Sequence, residues 1–267
     1  MGWDRSDGER VRGALGAATS PLIAKLIDPE ASTRVAGLDA VGAALLEGGE
    51  PSAQAEALLP ALVALGTTKG YPQAGAVLLR LGHFLAAIDD PPRRLAGAGG
   101  SEARRRAYDF IGAGASRLAR LAGTSRDPSV ARLAACLAAR FPDQDGALEP
   151  ILIALTSGAR DPEERARVYY ALTRVQASGR RPLQGRLAEA LAETELSAEK
   201  LAVVLALSSH DPPDPLRARV RRALDEARGA LERDHIIARH TGRDRLDRWP
   251  VDFGRDKGAF LSGGATP

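Results

Sequence analysis

Apolar positions in this chain recur every three or four residues, and short polar stretches carrying Pro, Gly and Asp interrupt them at intervals. That spacing is one face of an α-helix. In RDPSVARLAACLAARF (126–141) the face is Val130, Leu133, Ala134, Leu137 and Phe141. In RDPEERARVYYALTRV (160–175) it is Val168, Ala171, Leu172 and Val175, and after IDPEASTRV (27–35) it is Val35, Leu38, Val41 and Leu45. All three segments start with Asp-Pro, at Asp28-Pro29, Asp127-Pro128 and Asp161-Pro162. An Asp side chain accepts from the free N–H groups of a first helical turn. Pro suits the first helical position because its missing N–H would have no partner there. The pattern predicts helices near 8–18, 20–27, 30–47, 53–66, 72–88, 101–122, 127–140, 146–157, 161–177, 183–194, 197–209 and 214–240. Breakers such as GGEP (48–51), TTKGYP (67–72), FPDQDG (141–146) and HDPPDP (210–215) separate them.

Part of the pattern repeats. Leu118 and Leu121 stand before Asp127 as Leu152 and Leu155 stand before Asp161, at an offset of 34 residues that also relates Arg126 to Arg160 and Arg140 to Arg174. A helix, a polar turn, Asp-Pro and a second helix therefore form a unit. One such hairpin cannot bury its own apolar face, so units of this length stack.

The Asp-Pro turn followed by an apolar, Arg-bearing second helix resembles HEAT repeats, most closely over about 117–177 and less so over 21–88 and 182–209. The resemblance implies an all-α fold, a right-handed α-solenoid of about five to six hairpins over 1–240. Apart from it, PPRRLAGAGG (91–100) reads as an internal linker or long loop, and residues 241–267 lose helical periodicity and read as an irregular tail. The resemblance also implies turn Asp and helix Arg residues that interact between repeats. The matching positions are Asp28 with Arg34, Asp127 with Arg132, and Asp161 with Arg167.

Composition agrees with the helical reading: aromatics are 4% and Ala and Leu dominate the apolar set. The single Cys136 excludes an intramolecular disulfide framework, and on its Ala-rich stripe it reads as a small core hydrophobe. No apolar run approaches the roughly 20 residues of a membrane span, so a cytoplasmic protein without membrane contact is expected. His235 and His240 are five apart, about 140° around a helix, and cannot share a metal from one face. No metal and no cofactor is expected. GTTKG (66–70) lacks phosphate-loop spacing and reads as an interhelical turn.

Arginine carries the candidate chemistry. Between residues 93 and 132 there are nine Arg and three acids, among them Arg93, Arg94, Arg104, Arg105, Arg106, Arg117 and Arg120. A second cluster includes Arg217 and Arg221. Such residues contact phosphates along a nucleic-acid backbone or acidic groups on a protein, and a solvated helix face is the third reading. Tyr169 and Tyr170 point about 100° apart on one helix, so at most one faces the main core and the other is a candidate binding anchor. Trp249, Phe253 and Phe260 in the tail either cap the stack or dock a partner. The net charge of +3 permits nucleic-acid binding without arguing for it.

A non-enzymatic, protein-binding scaffold is the leading expectation, as an adaptor, assembly factor or inhibitor of immunity type. The alternative is nucleic-acid binding through the Arg-rich face. A remote variant of it resembles HEAT-like alkylpurine glycosylases, which place an acid beside aromatics; Tyr108-Asp109-Phe110 is the nearest approach here. A link to bilin-attaching lyases rests on fold alone.

Overall fold

In the computed structural model the described residues are 3–15, 20–48, 50–88, 102–141, 145–158, 165, 168–169, 171–172, 175, 180–194, 200, 203–204, 206–207, 215–220, 222–223 and 226. They are predominantly helical. The chain divides into two units, Met1–Leu121 and Ala122–Pro267.

The first unit opens with α1 (Arg5–Leu15), α2 (Pro21–Leu26) and α3 (Ala31–Ala44). A two-residue hairpin pair follows, β1 (Leu46–Glu47) antiparallel to β2 (Glu50–Pro51), then α4 (Ala55–Gly66), α5 (Ala74–Ile88) and α6 (Glu102–Gly112). The helix α7 (Ala115–Thr124) runs across the unit boundary. Helices α2 and α3 pack as one hairpin and α4 and α5 as another; α3 also lies on α5, and α4 on α6. The core is built from α4 and α5: Leu58, Leu62 and Leu65 face Val77, Leu78, Leu81 and Leu85, all essentially excluded from water. Each such side chain contributes about 2 kcal/mol on burial.

The second unit contains α8 (Pro128–Ala138), α9 (Asp145–Gly158), which packs on α8, and α10 (Arg180–Glu193). Its buried face on α8 is mostly Ala: Ala131, Ala134, Ala135 and Ala138 with Leu137. Small side chains let neighbouring backbones approach closely while keeping full helix propensity. Of the expected α8 face, Ala134 and Leu137 are buried, whereas Val130, Leu133 and Phe141 are half-buried. Val168, Ala171, Leu172 and Val175 are all buried, as the period requires.

Four expectations need correcting. The helix expected over 101–122 is two helices, broken at Ala113-Gly114. A Cβ on Gly114 would stand 2.2 Å from Val63 Cγ1, so the chain turns where α4 comes too close for any side chain. The helix expected over 30–47 stops at Ala44, and the chain turns through β1 and β2 instead. Val35, placed on the apolar face, is 50% exposed, and Arg34 occupies the inward position beside Leu38, Val41 and Leu45. Finally, Asp28-Pro29 does not start α3. The N-cap is Glu30, with no side-chain capping bond, and the Asp28 carboxylate accepts only from the Glu30 N–H at 2.8 Å.

Asp127-Pro128 behaves as expected. Asp127 Oδ1 accepts from the N–H groups of Ser129 (2.9 Å) and Val130 (3.3 Å), and Pro128 is the first residue of α8. Ser20-Pro21 does the same work for α2, where Ser20 Oγ accepts from Ile23 N–H at 3.3 Å. The expected loop at 91–100, the turn Asp161-Pro162 and the tail 241–267 lie outside the described residues.

Candidate functional site

The arginines of α6 are neighbours in sequence and differ in role. Arg104 turns inward and is 8% exposed. Its Nε and Nη2 grip both oxygens of Glu50 at 2.7 and 2.5 Å, and its Nη1 donates to the Ile88 carbonyl at 3.2 Å. One side chain thereby ties α6 to β2 and to the end of α5. A guanidinium edge presents two parallel N–H groups that match a carboxylate, and the geometry here is that bidentate fork. The burial of Arg104 makes it a structural tie rather than a surface contact.

Arg105 and Arg106 face solvent, one helical turn from acids. Arg105 pairs with Glu102 at 2.6 Å and Asp109 at 3.4 Å. Arg106 pairs with Glu102 at 3.6 Å and reaches across to Glu56 on α4 at 3.3 Å. The hydrogen bond from Arg105 holds the Glu102 carboxyl below the usual carboxylate range, with the charges of Arg105 and Arg106 adding to it. The same bond holds the Arg105 proton more firmly. The face of α6 is thus a mixed-charge lattice. Asp109, part of the Tyr108-Asp109-Phe110 run, is an exposed member of it.

On α7, Arg117 and Arg120 are exposed, while Leu118, Ala119 and Ala122 are buried. Residues 110–126 contain no acid, so α7 presents positive charge without a local carboxylate on its own helix. Arg217 is exposed in the second unit and Tyr169 is half-buried there. Arg93, Arg94, Tyr170, Arg221, Asp161 and Pro162 lie outside the described residues. The structure therefore brings Arg104, Arg105 and Arg106 together on α6, in two different roles.

A second cluster was not visible in the sequence. The last carbonyl of α2 has no helical partner, and side chains meet it and the turn carbonyls that follow. The Tyr71 hydroxyl donates to the Leu26 carbonyl at 2.8 Å. Arg34 Nη1 donates to the carbonyls of Asp28 (2.7 Å) and Pro29 (2.6 Å). A cation there also opposes the negative end of the α2 dipole. Gly8 of α1 sits on the Ile27 carbonyl so closely that a Cβ would come within 2.5 Å of it. Trp3 packs edge-on against Tyr71, with ring centroids 5.0 Å apart and planes at 74°. Burial pushes the Tyr71 phenol up to about 12, opposed by the nearby charge of Arg34. The only sequence signal for this cluster is the Tyr inside a polar turn, TTKGYP, where an aromatic has no reason to be unless it is buried. In that turn the hydroxyls of Thr67 and Thr68 donate back to the carbonyls of Val63 and Ala64, each at 2.8 Å, which closes α4.

Cys136 is half-buried on α8 and His83 half-buried on α5. Among the described residues no group of three or more His, Cys, Asp or Glu side chains is placed to hold a metal ion. No described helix is long and apolar enough to cross a membrane.

Among the described residues the protein is helical apart from the short β1–β2 pair, and its arginines serve the packing between elements as well as the surface. Against known protein families, curated proteins and solved structures, the chain finds no match.

Proposed function

We propose that the chain is a non-enzymatic repeat scaffold of HEAT type, with stacked helical hairpins that present an extended surface to a protein partner. One observation carries this reading: in the first unit, helices pack on their counterparts in the next hairpin. Helix α3 lies on α5 and α4 on α6, and an ion pair bridges each contact, Asp39 to Arg80 at 2.6 Å and Glu56 to Arg106 at 3.3 Å. Packing of that kind is what a stack of hairpins requires, and stacks of this type bind partners along their exposed helices.

The mixed charge of α6 favours a protein over a nucleic acid as the partner. A phosphate backbone is best matched by a continuous positive track, and Glu102, Asp109 and Glu56 interrupt the one that Arg105 and Arg106 begin. Exposed Arg117 and Arg120 then serve as rim contacts to acidic groups on the partner, where Arg is enriched.

The test is affinity capture of the tagged chain from its native extract, washed across rising salt with and without nuclease. The scaffold reading expects one protein in stoichiometric amount, retained at high salt and indifferent to nuclease. Recovery of nucleic acid that leaves at moderate salt overturns it.

A further inference from the structure

Helix α1 is attached to the first unit differently from the helices after it. Every hydrogen bond and ion pair of its described residues stays within residues 3–15: Asp4 with Ser6 and Asp7, Arg10 with Asp7, and Arg5 with Glu9. By contrast, Arg104 ties α6 to Glu50 on β2, and Arg80 ties α5 to Asp39 on α3. Three contacts seat α1 instead. Trp3 packs edge-on against Tyr71, Gly8 lies on the Ile27 carbonyl, and Val11 is buried where the helix packs on α4. Arg5, Glu9, Arg10, Arg12 and Gly13 are exposed.

Two features weaken that seat. The Trp3 Nε1 donor is shielded without an acceptor among the described residues, a desolvation cost carried by the seated state. Gly13 has a backbone outside the left-handed region, and among the described residues nothing lies within 4 Å of where its Cβ would stand. Neither packing nor conformation calls for glycine there, and in a helix interior it is less stable than Ala. A helix of 11 residues is also marginal by itself, so α1 depends on its seat.

We propose that α1 is a releasable strap over a helix-binding groove formed by Tyr71, the Ile27 carbonyl and α4, and that a helix of a partner protein displaces it. An amphipathic helix laid in a groove is a recurring mode of recognition, and here the chain supplies its own occupant. The partner helix repeats what the groove already accepts: an aromatic, a glycine and an aliphatic residue at the spacing of Trp3, Gly8 and Val11. The partner's identity as a protein rests on the scaffold reading; the release of α1 does not.

The test is hydrogen exchange on the full chain, beside the full-length variants Gly8→Ala and Gly13→Ala. In the wild type the α1 amides are expected to exchange about 100-fold or more faster than those of α4, because α1 opens alone. Gly13→Ala slows that exchange about fivefold. Gly8→Ala puts a Cβ 2.5 Å from the Ile27 carbonyl oxygen, so α1 loses protection while α4 keeps it. A fluorescein-labelled peptide of residues 3–15 then binds the Gly8→Ala chain about tenfold or more tightly than the wild type, whose groove is occupied. The same peptide with Trp3→Ala binds neither. Equal protection of α1 and α4 overturns the proposal, and so does loss of α4 protection together with α1 in Gly8→Ala. A peptide that binds the Gly8→Ala chain no more tightly than the wild type, or that binds as well without Trp3, also overturns it.

Discussion

The two Asp-Pro turns whose helix starts are described, at Asp28 and Asp127, begin from the same dipeptide and arrive at different structures. At Asp127 the carboxylate caps α8 through two N–H groups and Pro128 is the first helical residue. At Asp28 the helix begins at Ala31, and the peptide groups of Asp28 and Pro29 face Arg34, which takes both carbonyls. The spacing to the arginine differs by one residue, six from Asp28 to Arg34 and five from Asp127 to Arg132. Arg34 lies four residues past its N-cap and donates to the two turn carbonyls, which stay outside the helix. Asp-Pro announces a turn into a helix, while the contacts made by the turn's own carboxylate and carbonyls differ from one turn to the next.

The sharpest way to break the comparison is to remove Arg34. Arg34→Met leaves two turn carbonyls without a charged donor, and hydrogen bonds to charged groups contribute about 1.5–3 kcal/mol. Urea denaturation is expected to show a loss of about 2–3 kcal/mol. A loss under about 0.5 kcal/mol would mean that the turn holds itself.

Tyr71→Phe comes next, costing about 1 kcal/mol for the bond to the Leu26 carbonyl. The phenol also gives a pH signature. Its folded value, raised to about 12 from an ordinary 10.0, means the folded state keeps a proton that the unfolded chain has released. Stability from this group is therefore complete below about pH 10 and declines as pH rises towards 12. Unfolding midpoints measured from pH 9 upward on the wild type and the Phe variant should converge. Parallel curves would show that Tyr71 does not titrate as a buried group.

The smallest effects sharpen the comparison itself. Asp127→Ala removes an N-cap with two acceptor bonds and costs about 1 kcal/mol. Asp28→Ala removes a single exposed bond and should cost only a few tenths of that range. Equal losses at the two positions would mean that Asp28 also caps its helix in solution.

Much of the fold was legible in the sequence. Helices near 53–66, 72–88, 127–140 and 146–157 have strong apolar periodicity between breakers, and α4, α5, α8 and α9 coincide with them to within two residues. What was not legible depends on distant partners. The break at Ala113-Gly114 follows from contact with Val63, some fifty residues away in sequence; the two glycines of IGAGAS weaken a helix there but do not by themselves place its end. Arg104 and Arg105 are adjacent and identical, yet one is buried on Glu50 and the other lies in solvent; only the packing of α6 on α4 and β2 separates them. The Arg34 and Tyr71 cluster escaped for the same reason. Its members lie on α3, in the turn before α5 and at the N-terminus, and the acceptors of Arg34 and Tyr71 are main-chain carbonyls that a sequence does not display.

We propose that the arginine-rich stretch is part structural tie and part mixed-charge surface, suited to protein and not to a phosphate backbone. The most direct measurement is the affinity of the purified chain for a labelled DNA duplex across a salt series, beside the variant with both Arg105→Glu and Arg106→Glu. Weak binding is expected, with a salt slope that corresponds to about two phosphate contacts or fewer and is nearly unchanged in the double variant. Tight binding with a slope of about six contacts or more, lost in that variant, would contradict it.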